Sequence, residues 1–463
     1  QRQMCIRDSL VTKFPNIEHI ILDTVPSNYA VESFKDAYGF EGLVDYDFSK
    51  SDFIVSVDAD FLGDWQGGGY DTKYVSNRVP DRKTGKGRMS KHVQFEANMT
   101  LTGANADIRV PATPTEQKRI LAYIYSEVKG LNSKIKLSPE QKENAKFAAE
   151  GIKKFGSKAV IVSGLDDKNV QDLILDLNNH IKSSAIDNSA RLTRVQSGNV
   201  VDIFTEELLD GKISGLITVG LNPVYSLSEG EKIKKAISDL DFSLSFSMKE
   251  DETSSVCKYI AAAPHYLESW GDYEFKEGHY FLGQPTIRPL FNTMQFQDFV
   301  LSVIGSSKDY YSTIKAFWKQ NVLNGRSWNK VLHDGFYKKS KKEKLNFNPK
   351  KITVLNKDFN IDDESDMELV LYSKTGMGDG QQANNPWLQE FPDPITRVTW
   401  DNYMTISSFD ANRIGLKNIN VADGALNGSY AKISDGESTL KVPVVIQPGQ
   451  AKGSVGLLSL IHI

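Results

Sequence analysis

The sequence predicts an α/β protein: parallel-sheet, Rossmann-like domains followed by a C-terminal β-barrel-like domain. Three observations carry this. Short β-branched and aromatic runs ending in acidic or small residues recur along the first two thirds of the chain, as expected of strands buried in a parallel sheet. Helix-start signatures fall between them. From about Asp366 the helical periods fade, and short runs alternate with Gly, Asn and Asp turns.

Residues 18–23 read as a short strand and 29–38 as a helix. Residues 52–58 read as a buried strand ending in Asp58-Ala59-Asp60. Thr113-Pro114-Thr115-Glu116 is a capping box with Pro at the first helical position, and Ile120, Leu121, Ile124, Tyr125 and Val128 share one helix face. Ser138-Pro139-Glu140-Gln141 repeats the start signal. A second α/β section follows, with a strand at 158–164, a helix at 169–181 and a strand at 215–220. A capping box at 228–231 opens the next helix, and a strand returns at 242–247. Strand, helix and strand at this spacing make a parallel crossover unit, which places the loops 220–225 and 248–253 side by side at the carboxyl ends of the strands. Residues 431–434 and 438–446 flank Asp435-Gly436 as a hairpin.

A chain of 463 residues exceeds one ordinary core. The expected domains are 10–137 and 138–365, the second ending in a linker from 338, and then 366–456. Residues 1–9 and 457–463 do not continue the neighbouring patterns. They resemble translated adapter sequence, so the native protein is expected to extend in both directions. Apolar residues make up 40% and charged residues 25%, with net charge -4 and both signs interspersed, which argues against nucleic acid as a partner. The one dense basic run, Lys338-Lys339-Ser340-Lys341-Lys342-Glu343-Lys344, reads as a solvated loop or helix end. No apolar stretch reaches the roughly 18 residues of a membrane helix, so membrane association is expected through partner subunits. The two cysteines, Cys5 and Cys257, have no Cys-x-x-Cys spacing. An iron–sulfur cluster or Cys-rich zinc site in this segment is thereby excluded.

Chemistry-bearing candidates are few. Glu268, in Tyr266-Leu267-Glu268-Ser269-Trp270-Gly271-Asp272, reads either as a buried acid/base or, the favoured reading, as a backbone cap beside a packed Trp270. His92 and His265 read as packing or surface residues. There is no nucleophile elbow, His-Glu-x-x-His or Walker loop, and Gly67-Gly68-Gly69 reads as a flexible loop.

Several ordered segments resemble the molybdopterin oxidoreductase superfamily in its polysulfide-reductase-like branch. They are Leu101-Thr102-Gly103-Ala104-Asn105-Ala106-Asp107-Ile108-Arg109-Val110-Pro111, Gly220-Leu221-Asn222-Pro223-Val224-Tyr225, and Asp251-Glu252-Thr253. Gln284-Pro285-Thr286-Ile287-Arg288-Pro289-Leu290-Phe291 and Ala383-Asn384-Asn385-Pro386-Trp387 follow in the same order. Asp58-Ala59-Asp60-Phe61-Leu62 and Met89-Ser90-Lys91-His92-Val93-Gln94-Phe95-Glu96 resemble the large iron–sulfur subunit of alternative complex III.

That resemblance implies a vestigial pocket lined by Thr102, Gly103, Asn105, Asp107, Gly220, Asn222, Pro223, Asp251, Glu252, Thr253, Asn384 and Asn385. It implies no catalytic or metal-ligating residue and no cofactor on this segment. Iron–sulfur clusters are expected further downstream. A haem-bearing subunit and membrane quinol-binding subunits are the implied partners, on the periplasmic side of the inner membrane. The alternative is an active molybdenum enzyme holding two molybdopterin guanine dinucleotides. If the pocket is empty, its polar residues are expected to bond one another or water. Trp65, Trp270, Trp387 and Trp400 are candidate interface anchors or, by preference, core residues.

Overall fold

The structure, a computed structural model, describes residues 4–23, 27–80, 83–85, 87, 89–187, 189–194, 198–339, 345–348, 359, 366–378, 380, 382–400, 402–421, 426–434, 436 and 438–458. Two compact units form. One comprises Gln1–Val31, Glu41–Leu43 and Asn188–Leu345; the other comprises Glu32–Phe40, Val44–Asp187 and Asn346–Ile463. Residues 138–187 fall in the unit that holds the first sheet, whereas the sequence reading began a second domain at 138. The reason is strand pairing: the strand after residue 158 completes the first sheet rather than starting a second.

That first sheet holds β1 (Phe53–Val57), β2 (Lys91–Glu96), β3 (Ile108–Pro111) and β4 (Ala159–Ser163), all parallel, in the order β3-β2-β1-β4. This is the order of a doubly wound sheet, with its reversal between β1 and β4. Helix Pro114–Lys129 starts at the expected capping box, and its Ile120, Leu121 and Ile124 pack with Phe53, Val55, Phe95 and Ile161 in one core. Helix Pro139–Phe155 also starts at its capping box. Gly151 lies so close to the Phe53 ring that a Cβ would sit 2.2 Å from it. Helix Lys168–His180 follows β4, one residue from the expected span.

In the other unit, β5 (Gly215–Val219), β6 (Phe242–Ser247) and β7 (Tyr259–Ala262) form a parallel sheet in sequence order. Helix Gly230–Asp239 joins β5 to β6 and buries Ile233 and Ile237. Its start departs from the expected capping box: the cap is Glu229, without a side-chain bond. Packing sets this start, because a Cβ on residue 230 would lie 2.3 Å from the Val224 carbonyl. A further antiparallel sheet, absent from the sequence reading, joins β8 (Gly271–Lys276), β9 (His279–Gly283) and β10 (Phe336–Lys338) in the order β10-β9-β8. Its buried face packs on Trp318, Trp328, Val300 and Ile6. Ile6 belongs to helix Met4–Lys13, so most of the 1–9 segment is helical. Residues 18–23, expected as a strand, have no regular structure, and Ile21 is exposed. A strand needs a paired neighbour, and none is recorded for this run among the described residues.

The last sheet, again in the unit of β1–β4, is mixed. It orders β11 (Glu368–Tyr372), β17 (Ser454–Leu458), β12 (Met404–Ile406), β16 (Thr439–Ile446) and β15 (Tyr430–Ser434), beside a ribbon of β13 (Asn418–Asn420) and β14 (Leu426–Gly428). β15 and β16 form the expected hairpin; its Asp435 lies outside the described residues. Among the described residues this sheet is linear, and no pairing closes it into a barrel. Leu457 and Leu458 are buried in β17. Most of the linker expected after residue 338 lies outside the described residues. No helix among them is long and apolar enough to cross a membrane.

Candidate functional site

Polar residues collect at the carboxyl ends of both parallel sheets, where doubly wound folds place their ligands. In the first sheet, β1 ends at Asp58, whose φ of 58° is rare outside Gly, Asn and Asp. Its amide donates to the Phe95 carbonyl, while the Gly164 amide donates to Val57. A Cβ on residue 164 would lie 2.0 Å from the Asp58 carbonyl oxygen. At the point where the strand order reverses, the two loops are thus in contact.

Beside them, Asp60 Oδ1 accepts from the Thr102 amide at 2.9 Å and from its hydroxyl at 2.7 Å, and that hydroxyl accepts from the Leu62 amide. Glu96, fully buried, accepts from Arg109 Nε, the Thr100 amide, the Thr100 hydroxyl and Gln94 Nε2. Gly103 rests on this carboxylate; a Cβ there would lie 1.8 Å from Oε1. At the opposite, amino end of β2, Asp107 takes a bidentate pair from Arg78 and accepts from the His92 amide. Burial alone would raise its pKa, but those donors hold it below the ordinary carboxylate range. Asn105 donates to the Leu101 carbonyl, closing its own turn.

Charge at the carboxyl end of the sheet is negative. Burial, and next the Glu96 charge, pushes the Asp58 carboxyl up to about 7. His92 is driven down to about 4 by burial, against the opposing bond to Gln94. It packs between Tyr74 and Phe61, the packing role read from sequence.

In the second sheet, the loops after β5 and β6 meet as expected. Asn222 Oδ1 accepts from the Thr253 amide at 3.1 Å and its hydroxyl at 2.7 Å; Asn222 Nδ2 donates to Glu252 at 2.7 Å. The Val224 amide donates to the Thr253 hydroxyl. Gly220 turns the chain at φ 61°, and Pro223 opens the short helix Pro223–Ser226. Asp251 closes a turn on Ser254. Asn385 caps helix Pro386–Glu390 through the Trp387 amide, with Asn384 just before it. The expected residues are therefore only partly brought together: Thr102 and Gly103 sit on Asp60 and Glu96, Asn222, Glu252 and Thr253 bond one another in the other unit, and Asn105, Asp107, Asp251 and Asn385 serve local turns, pairs or caps.

Glu268 takes the capping role: it accepts from the His265 and Leu290 amides. Sequence reasoning missed a buried seam between the loop after β2 and the loop between β16 and β17. There the Asn98 carboxamide, Arg109 Nη2 and Gln450 Oε1 are buried without hydrogen-bond partners. The Met99 amide donates to Gln447, and Arg109 Nη1 donates to the Gly449 carbonyl. The alternation of His92, Gln94 and Glu96 with Val93 and Phe95 was a legible signal that one face of β2 is polar. Lys374 is also fully buried without a hydrogen-bond partner. Burial lowers its basicity, opposed by the Asp393 charge.

A pterin dinucleotide is a long polyanion that needs Arg, Lys or free backbone donors near its phosphates. The residues at these two carboxyl ends do not fit it. Asp58 and Asp60 line the first, its Arg109 is paired with the buried Glu96, Gly164 closes its reversal point, and the donors at the second are bonded to one another. No group of three or more His, Cys, Asp or Glu side chains suited to a metal occurs among the described residues.

No family model and no curated protein matches the chain. Among solved structures it is similar to an acetylene hydratase from Pelobacter acetylenicus, with 12% identity and a TM-score of 0.62, covering 94% of this chain and 74% of that one. A formyltransferase/hydrolase complex from Methylorubrum extorquens aligns at 14% identity and a TM-score of 0.41 over 64% of this chain and 87% of that one. The first likeness concerns fold alone, and it agrees with the molybdopterin-oxidoreductase fold that the sequence resemblance implies.

Proposed function

We propose that the chain is a scaffold portion of the iron–sulfur subunit of a quinol-oxidising respiratory electron-transfer complex, built on a molybdopterin-oxidoreductase fold without a molybdenum cofactor. The observation that carries this reading is that both carboxyl ends are closed by the chain itself: Thr102 is bonded to Asp60, Gly103 and Gly164 pack against Glu96 and the Asp58 backbone, and Asn222 is bonded to Thr253 and Glu252. A dinucleotide would have to break the hydrogen bonds among these residues and set its phosphates beside Asp58 and Asp60. In this reading electrons run through clusters held by cysteines outside this sequence. The partners are membrane quinol-binding subunits and a haem-bearing subunit at the periplasmic face of the inner membrane. Trp387 and Trp400, 83% and 47% exposed, are the available anchors; Trp65 and Trp270 pack against Tyr46 and Tyr311.

One observation favours the second reading, an active molybdenum bis-pterin oxidoreductase. The seam at Asn98, Arg109 and Gln450 offers both donors and acceptors that a bound polar group would satisfy. Elemental and pterin analysis of the purified full-length protein tests the two. Iron without stoichiometric molybdenum or tungsten, and no fluorescent oxidised pterin, is expected. One metal atom with pterin per chain would overturn the scaffold reading.

A further inference from the structure

The outer face of the sheet β8–β10 is aromatic. Tyr273 pairs with Phe281, and Phe281 pairs with Phe336, so one row of rings crosses all three strands. Tyr273 and Phe275 stack at 5.5 Å, Phe275 meets Phe281 at 5.9 Å, and Phe281 meets Phe336 at 4.9 Å. His279 lies against Phe336 at 6.0 Å. A paired Gly271 and Gly283 leave room for Tyr273 to lie flat: a Cβ on either would come within 3.2 Å of its ring. Alternate residues Tyr280, Leu282 and Tyr337 point into the core, so the outward rings contribute nothing to it. Phe275 is nonetheless 60% exposed, Phe336 39% and Phe281 36%. Such a contiguous exposed apolar face is unusual on a protein surface.

Two exposed lysines border this face at β10. β10 ends in exposed Lys338, and exposed Lys339 follows. Lys339 Nζ donates to the Asn321 carbonyl. Of the nearby carboxylates, Glu277 faces Arg191 at 4.0 Å and Glu274 accepts from the Gly278 amide. Each ring leans on its neighbour, so the face is one continuous apolar surface rather than a set of free platforms for stacked bases.

We infer that this face docks directly on an anionic lipid bilayer, with the rings at headgroup depth and the lysines on lipid phosphates. Aromatic rings prefer that depth, and each lysine adds attraction to an anionic surface. The inference is independent of whether a pterin is bound.

The test is sedimentation of the full chain with vesicles of phosphatidylcholine alone or mixed with phosphatidylglycerol. Binding to the mixed vesicles is expected, at least tenfold weaker on neutral vesicles and weaker as salt rises. The double variants F275S/F336S and K338E/K339E, checked for folding by circular dichroism, should each lose at least tenfold. Leu371→Ser, at an exposed apolar residue of β11, should change nothing. No binding to the mixed vesicles, binding indifferent to the ring pair, or an equal loss in the Leu371 variant would overturn the inference. Capture of a single-stranded oligonucleotide without vesicle binding would overturn it as well.

Discussion

Asp58 concentrates the chemistry of the first sheet in one side chain. Its carboxyl is held near 7 by burial and by Glu96, against the ordinary value of 3.8 in an unfolded chain. Below that ordinary value both states are protonated and the site costs nothing. As pH rises from about 4 to 7, only the unfolded chain ionises freely, so stability falls; above about 7 the penalty is constant. Asp58→Asn removes the charge and tolerates the left-handed backbone. It should therefore raise stability by about 1–2 kcal/mol at pH 8, and by less at pH 5, read from urea midpoints at both. A gain independent of pH would contradict the assignment. Gly103 makes the opposite case. Its neighbour Glu96 is held by four donors and cannot yield, so Gly103→Ala should cost about 2–4 kcal/mol in the same assay. At this scale the resemblance named Thr102, Gly103 and Asp107 for one pocket, and the structure places Thr102 and Gly103 at the carboxyl end of β2 and Asp107 at its amino end. The sequence could not name Asn98, Arg109 or Gln450, because their meeting joins residues more than 300 positions apart in the chain.

Elements were legible where local chemistry decides them. The two Pro-containing capping boxes start their helices where expected, and β1, β4, β5 and β6 lie on their β-branched or aromatic runs. They were illegible where packing decides. The run 18–23 has strand composition but no paired edge, and the helix after β5 starts where Gly230 can approach Val224. The strands β8–β10 escaped notice because their alternation puts aromatics on both faces, hiding the period of two. The loops after β5 and β6 were placed together by topology alone, and their union carries a prediction. Asn222→Ala removes the acceptor of two Thr253 donors and the donor to Glu252, leaving buried Thr253 unsatisfied. It should cost about 1–3 kcal/mol, with faster amide exchange at Thr253 and Val224. Unchanged exchange at both amides would show that the loops are held together by other means.

For the molecule as a whole, the question is whether the fold depends on a cofactor. Where a buried dinucleotide is part of a structure, the apoprotein has open crevices with unpaired donors, and binding adds stability in proportion to occupancy and affinity. Here both carboxyl ends bond to themselves, and the unpaired atoms of the Asn98 seam are few enough for internal water to satisfy. The full-length protein should then have the same melting temperature whether produced in a host able to make molybdopterin or in one that cannot, within about 1 °C. A ligand held at 1,000 times its Kd contributes about 4 kcal/mol, which for a protein of this size is a shift of several degrees. A drop of that size in the deficient host, recovered on adding back the cofactor, would show that the seam is a cofactor site and that the fold was built around it. An unchanged melting curve would mean that hydrogen bonds among the chain's own side chains have replaced the cofactor in holding these sheets.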